Sequence, residues 1–158
     1  MKTGEKIPAV QLMRATAEGP EALSSEDYFA GKKTVLFAVP GAFTPTCSAR
    51  HLPGFVDHAD AFAAKGVEQI ACVSVNDAFV MQAWGESAGA AGKVEMIADG
   101  NGEFATAMGL SMDASGFGMG TRSQRFAMVV EDNMVTQIFV EDPGAFEVSS
   151  AEAVLASL

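Results

Sequence analysis

The sequence predicts an α/β fold with a central mixed β-sheet and helices on both faces, and three observations carry that expectation. Thr34 to Val39 and Glu68 to Val75 are short runs of β-branched and apolar residues, which read as strands buried on both faces. Each is followed by apolar residues at helical spacing: Leu52, Phe55, Val56, Ala59, Phe62 and Ala63 after the first, then Phe79, Val80, Ala83 and Trp84 after the second. Arg125 to Glu131 and Met134 to Glu141 flank Asp132-Asn133, the spacing of a tight hairpin, so antiparallel strands join a parallel core.

In chain order, Val10, Leu12 and Arg14 alternate with Gln11 and Met13, a short first strand near an edge. Ser24 to Phe29 reads as a capped turn of helix closed by Gly31. Pro40 and Gly41 end the first buried strand, and a helix from Ser48 to Lys65 stops at Gly66. Inside it Pro53 removes one backbone hydrogen bond, which predicts a kink just beyond His51. Asn76-Asp77 caps the next helix. Val94 to Ala98 is a third strand, Phe104 to Met108 a short helix ended by Gly109, and Ser111 to Gly120 a flexible Gly-rich loop holding Phe117. A capped helix from Ser149 to Leu158 closes the chain. This is an α/β sandwich of the thioredoxin-like kind, expected to form one domain over residues 1–158.

Composition narrows the function. A chain of 158 residues, 49% of them hydrophobic, can bury a full core without staples. A formal charge of -10 argues against nucleic acid or an anionic membrane as partner, because both require a basic face. No apolar run reaches the length of a membrane span, and Met1 to Val10 lacks the order of a signal peptide, so a cytoplasmic location is expected. Two cysteines, Cys47 and Cys72, are too few for a disulfide framework and point to thiols with chemical or packing roles.

Cys47 is placed where a strand hands over to a helix. A free thiol with pKa about 8.5 is only a few per cent thiolate at neutral pH, and a helix N-terminus favours the charged form. Thr44, three residues earlier, can share a small pocket with the sulfur, and Pro40, Phe43 and Pro45 stiffen the loop around it. Cys72 falls mid-strand with Ile70 and Ser74 on its face, the pattern of a packing residue. A Cys-x5-Arg phosphatase loop fails at Pro53, and a Cys-x-x-Cys pair fails at Arg50. Cys47, His51, His58 and Cys72 match no zinc spacing, and Asp99-Asn101-Glu103 lacks the glycine and closing glutamate of a calcium loop. No metal site is expected.

The segment Pro40-Gly-Ala-Phe-Thr44-Pro-Thr-Cys47-Ser resembles the active-site segment of peroxiredoxins, Pro-x-x-x-Thr-x-x-Cys. Its extension through His51-Leu-Pro-Gly-Phe55, with Val73 to Phe79, Trp84-Gly85 and Arg122-Ser-Gln-Arg125-Phe126, is similar to the type-five subfamily. The resemblance implies that Cys47 is the peroxidatic nucleophile and Thr44 a hydrogen-bonding partner of peroxide and sulfur. It implies that Arg125 is the guanidinium holding both and that Pro40 shields the sulfur. On the residues alone, Arg125 reads equally as a surface arginine at a strand end, and Arg122 and His51 are weaker candidates. Gly41, Phe43 and Phe117, with Trp84, are candidate substrate contacts at an apolar mouth; core or dimer packing is the competing reading.

Many type-five members carry a resolving cysteine after the final hairpin, whereas Asp142 to Ser150 contains none. A Cys47–Cys72 bridge would need Cα atoms within about 7 Å, which a mid-strand thiol serves poorly. The expectation is therefore a one-Cys thiol peroxidase acting on hydrogen peroxide and alkyl hydroperoxides. Its reductant would be external, glutathione with glutaredoxin ahead of thioredoxin, and by resemblance it would be a homodimer with no cofactor. A redox sensor whose Cys47 oxidation alters a partner interaction is the alternative, and the chain offers no partner-binding tail in its support.

Overall fold

The strands that the sequence marks as apolar on both faces sit at the centre of one sheet. The computed structural model describes all 158 residues, Met1–Leu158. Nine strands form: β1 (Gln11–Thr16), β2 (Gly19–Ser24), β3 (Lys33–Ala38), β4 (Gln69–Ser74), β5 (Glu95–Ala98), β6 (Ser111–Asp113), β7 (Thr121–Ser123), β8 (Phe126–Glu131) and β9 (Met134–Val140). Seven make a mixed sheet in the order β2-β1-β5-β4-β3-β8-β9, parallel at β5-β4-β3 and antiparallel elsewhere.

Alternation along the strands sorts side chains into two layers. Val35 and Phe37 of β3 pack with Ile70 and Cys72 of β4 under Leu52, Phe55, Phe62, Trp84 and Val154. These come from α2 (Leu52–Asp57), α3 (Ala59–Ala64), α4 (Ala78–Ser87) and α6 (Ala151–Ser157). Leu36 and Ala38 face the other way with Ala71 and Val73, against Tyr28 and Phe29 of α1 (Ser25–Phe29) and Phe104 of α5 (Glu103–Ala107). Helices therefore cover both faces, as the sequence predicts. Phe37, Phe55 and Phe62 are fully buried, with ring centroids 4.1 Å and 5.5 Å apart in two stacked pairs. Truncating one of them to alanine costs about 3–5 kcal/mol.

Several local expectations change. The helix predicted over Ser48 to Lys65 is not continuous. It opens in α-helical form at Pro45 and Thr46, widens into a π-helical turn, Cys47–His51, in which the Leu52 N–H donates to Cys47 O, and breaks at His58 (φ -99°, ψ 10°). Pro53 explains the first irregularity: it has no N–H for Ala49 O, so the backbone widens one turn earlier, and the predicted kink takes this form. Ser24 makes no capping bond; the neighbouring Ser25 Oγ instead accepts from Val10 N–H and donates to Pro8 O. Asp77 caps α4 by accepting from Val80 N–H.

Strand β2 carries no apolar alternation because it is an exposed edge, where Pro20 is tolerated. Residues 111–120, read as a flexible Gly-rich loop, instead form with residues 121–123 the β6–β7 hairpin around a 3-10 turn, Ser115–Phe117. Gly118 and Gly120 supply the left-handed conformations that close it.

Candidate active site

Cys47 occupies the first residue of the π-helical turn and is fully buried. The preceding loop is held to the sheet by polar bonds. Asn76 Oδ1, at the end of β4, accepts from Ala42 N–H at 3.0 Å, and Gly41 O accepts from both the Thr44 hydroxyl (2.7 Å) and the Thr44 N–H (3.4 Å). With its proton committed to Gly41, the Thr44 oxygen keeps its lone pairs for another donor. A Cβ on Gly41 would lie 3.0 Å from Met119 Cε and 3.2 Å from Thr44 Cγ2, so glycine lets the loop and the β6–β7 hairpin approach. Phe43 adopts φ +62°, which turns its half-exposed ring away toward Trp84, 6.4 Å between centroids.

Arg125, between β7 and β8, reaches the thiol across 78 positions of sequence. Its Nη2 donates to Cys47 Sγ at 3.1 Å and its Nη1 to His51 Nδ1 at 2.8 Å. Arg14–Glu95 pairs two full charges and His58 approaches Glu152 at 3.9 Å, but no carboxylate oxygen lies in salt-bridge contact with Arg125. Its charge is left to complement the sulfur, through a bond that strengthens as negative charge gathers there.

His51 is fully buried, with Nε2 2.9 Å from Ser149 O. A guanidinium only donates and a carbonyl only accepts, so His51 is the neutral Nε2–H tautomer. Burial, and next the Arg125 charge, hold its pKa at about 3. The chain of contacts continues to Glu141, whose Oε2 accepts from Glu147 N–H, Ser149 N–H and Ser149 Oγ–H, each within 2.8 Å. Burial raises the Glu141 carboxyl, but the Ser149 and backbone hydrogen bonds outweigh it and leave the pKa below the usual range. Phe146 stands edge-on to His51 at 4.9 Å, with Arg125 over its ring at 5.8 Å.

A cavity of about 790 Å³ opens above these groups, lined by Pro40, Thr44, Pro45, Phe117, Arg125 and Glu141 among others. Pro40, Thr44, Arg125 and the exposed Phe117 thus share its lining, and Arg125 connects it to the buried sulfur. Gly41, Phe43 and Trp84 are not walls of this cavity. Gly41 is a backbone acceptor, Phe43 faces outward, and Trp84 is core, donating from Nε1 to Ser48 Oγ at 3.0 Å. Arg122 does not reach the thiol; it anchors the hairpin through Met119 O and Val75 O. Cys72 is fully buried, and desolvation pushes its thiol pKa up, the nearby Cys47 adding to this. Sequence reasoning missed Glu141 and Ser149, and it held His51 only as a weaker candidate. Only the fold brings these three together.

Residues 2–155 match the Redoxin family. The chain is 49% identical over 160 residues to the rice (Oryza sativa subsp. japonica) chloroplastic peroxiredoxin-2E-2, an alignment covering 98% of this chain and 71% of that protein. Reduced Prx3 of Vibrio vulnificus in complex with H2O2 superposes with a TM-score of 0.95 at 53% identity, covering 99% and 98% of the two chains. The Plasmodium falciparum antioxidant protein, a 1-Cys peroxiredoxin, gives 0.93 at 32% identity over 98% and 96%. The family match over nearly the whole chain and the identity and shared fold with these relatives settle the family: the chain belongs to the Redoxin family and is a peroxiredoxin, a thiol peroxidase of thioredoxin-like fold.

Proposed function

We propose that the protein reduces hydrogen peroxide and alkyl hydroperoxides by a one-Cys mechanism, with Cys47 as nucleophile and an external thiol as reductant. The observation that carries this is the Arg125 Nη2–Cys47 Sγ contact of 3.1 Å, made by an arginine that lines one cavity with Thr44. The Cys47 thiolate attacks the distal peroxide oxygen, forming an S–O bond as the O–O bond breaks. Sulfur is oxidised by two electrons to the sulfenic acid, and the leaving alkoxide or hydroxide takes a proton. Thr44 Oγ accepts from the peroxide O–H, and Arg125 stabilises charge passing from sulfur to the leaving oxygen. Pro40 keeps bulk water off the sulfur.

Recovery follows from what surrounds Cys47. Cys72 is held in β4, a strand flanked on both sides, and the loop after β9 has no cysteine. One thiol of glutathione condenses with the sulfenic acid, releasing water and leaving a mixed disulfide, and a second thiol, free or in glutaredoxin, restores Cys47. The H2O2 complex and the 1-Cys relative support the substrate and the cycle respectively. A reducing compartment such as the cytoplasm suits two free thiols. A homodimer is part of the proposal: Phe43 and Phe79, 53% and 70% exposed, supply apolar surface where the loop meets α4.

The test is steady NADPH consumption with glutathione, glutathione reductase, glutaredoxin and peroxide, run beside a thioredoxin system. Turnover is expected to vanish in Cys47→Ser and persist in Cys72→Ser. Oxidation of Cys47 without turnover under either system would make the protein a redox sensor instead.

A further inference from the structure

We propose that His51 is a positioning residue that aims Arg125 at the sulfur, and that it is itself aimed by the Glu141-bound segment 142–149. The proposal rests on the reading of Arg125 given above, and it concerns what gives that side chain a single orientation.

An arginine with no carboxylate partner has little to choose one rotamer over another. Here the fork is split, Nη2 to Cys47 Sγ and Nη1 to His51 Nδ1. The imidazole serves only because it is neutral and because its lone pair is on Nδ1. That tautomer is imposed from the opposite side, where Nε2–H meets Ser149 O. Ser149 in turn is fixed by two bonds that it donates to the Glu141 carboxylate, and the Glu141 backbone N–H donates to Arg125 O at 3.0 Å. A closed circuit results: backbone of Arg125, Glu141, Ser149, His51, guanidinium of Arg125. Phe37, Phe55 and Phe146 pack around the imidazole with ring centroids 4.9, 5.7 and 4.9 Å away, leaving it no room to flip. A buried histidine kept only for packing needs no acceptor on its arginine side; this one is satisfied at both nitrogens.

The two nitrogens can be tested separately. The amide oxygen of asparagine stands near the place of Nδ1, whereas the amide of glutamine reaches the place of Nε2. Stopped-flow oxidation of Cys47 by hydrogen peroxide is the readout, with Trp84 fluorescence and near-UV circular dichroism as checks of folding. His51→Gln, which keeps the link to Ser149 but not the acceptor for Arg125, is expected to lose about 10²-fold in rate constant, and His51→Asn to recover to within about tenfold of wild type. Equal losses in both variants, or none in either, overturn the proposal. Arg125→Ala is measured alongside. If it leaves the rate unchanged, the reading of the site fails; if it slows the reaction while both His51 variants react as wild type, only the positioning role fails. Should the variants not fold, nitrogen NMR of the wild-type imidazole decides. A protonated ring or an Nδ1–H tautomer at neutral pH overturns the proposal, and a bare, accepting Nδ1 with Nε2–H sustains it.

Discussion

Arg125 brings a full positive charge beside a buried sulfur with no carboxylate in salt-bridge contact, so under the proposed mechanism its removal takes away the positive charge placed at that sulfur. Arg125→Ala is expected to lower the rate constant for peroxide by about 10²–10³-fold, the loss typical of deleting one preorganised donor. Arg125→Lys should recover little, because one ammonium cannot reproduce a planar fork that serves sulfur and imidazole together. Competition against a second peroxidase for limiting peroxide measures both, and wild-type speed in the lysine variant would show that the fork is not used. His51 gives a second prediction, in stability. Its pKa is about 3 in the folded chain against 6.5 for the ordinary group. Between those values the unfolded chain holds a proton that the folded one lacks. Stability therefore falls as pH falls through this window, by about 1.4 kcal/mol per pH unit. Urea unfolding between pH 6.5 and 4.5 should show the slope in wild type and lose that part of it in His51→Asn, a difference that isolates His51 from Glu141 and Asp99. At this scale Cys47 and Thr44 were legible because three residues of spacing is a local fact. Arg125 was reachable only through resemblance, and Glu141 and Ser149 not at all, since each acts through a contact that the fold creates.

The π-helical turn shows how one residue shapes an element. Pro53 denies Ala49 O a partner, and the widened turn that results begins at Cys47. Pro53→Ala restores an N–H and lets the segment settle into an ordinary α-helical register. The expected outcome is unchanged or slightly higher thermal stability with a peroxide rate lowered by about tenfold or more, since a displacement near 1 Å at a reacting atom is costly. A melting curve and a stopped-flow trace on the same sample check it; unchanged reactivity would mean that the π turn does not set the aim of Cys47. The Asp132-Asn133 turn offers a control away from the site. Both residues have positive φ, +48° and +66°, and Asn133 Nδ2 donates to Glu26 O. Asn133→Ala should cost about 1–2 kcal/mol in denaturant unfolding and leave the peroxide rate alone. Apolar runs and this turn were legible because period and turn chemistry are local. Strand β2 and the β6–β7 hairpin were not, because an exposed edge and three-residue strands carry no periodicity to read.

Across the whole molecule the two cysteines share one apolar layer and are both fully buried, and what separates them is the element that holds each. Cys47 stands on a π-helical turn against Arg125, a wall of the cavity, and Cys72 is locked in the middle of β4 between β3 and β5. Burial raises the Cys72 thiol well above its ordinary pKa, so little of it is thiolate at neutral pH and attack on an oxidised neighbour is slow. For the two sulfurs to bond, Cys47 Sγ would have to leave the Arg125 guanidinium that holds it. Intact mass therefore reports on the cycle as a whole. One equivalent of peroxide is expected to add one oxygen, and glutathione then to convert that species into a glutathione adduct. Alkylation of the folded, reduced protein should modify Cys47 before Cys72, and denaturant should equalise them. A loss of two hydrogens after peroxide would instead mean a Cys47–Cys72 bridge, formed by a fold that opens around its active site on the timescale of sulfenic acid capture.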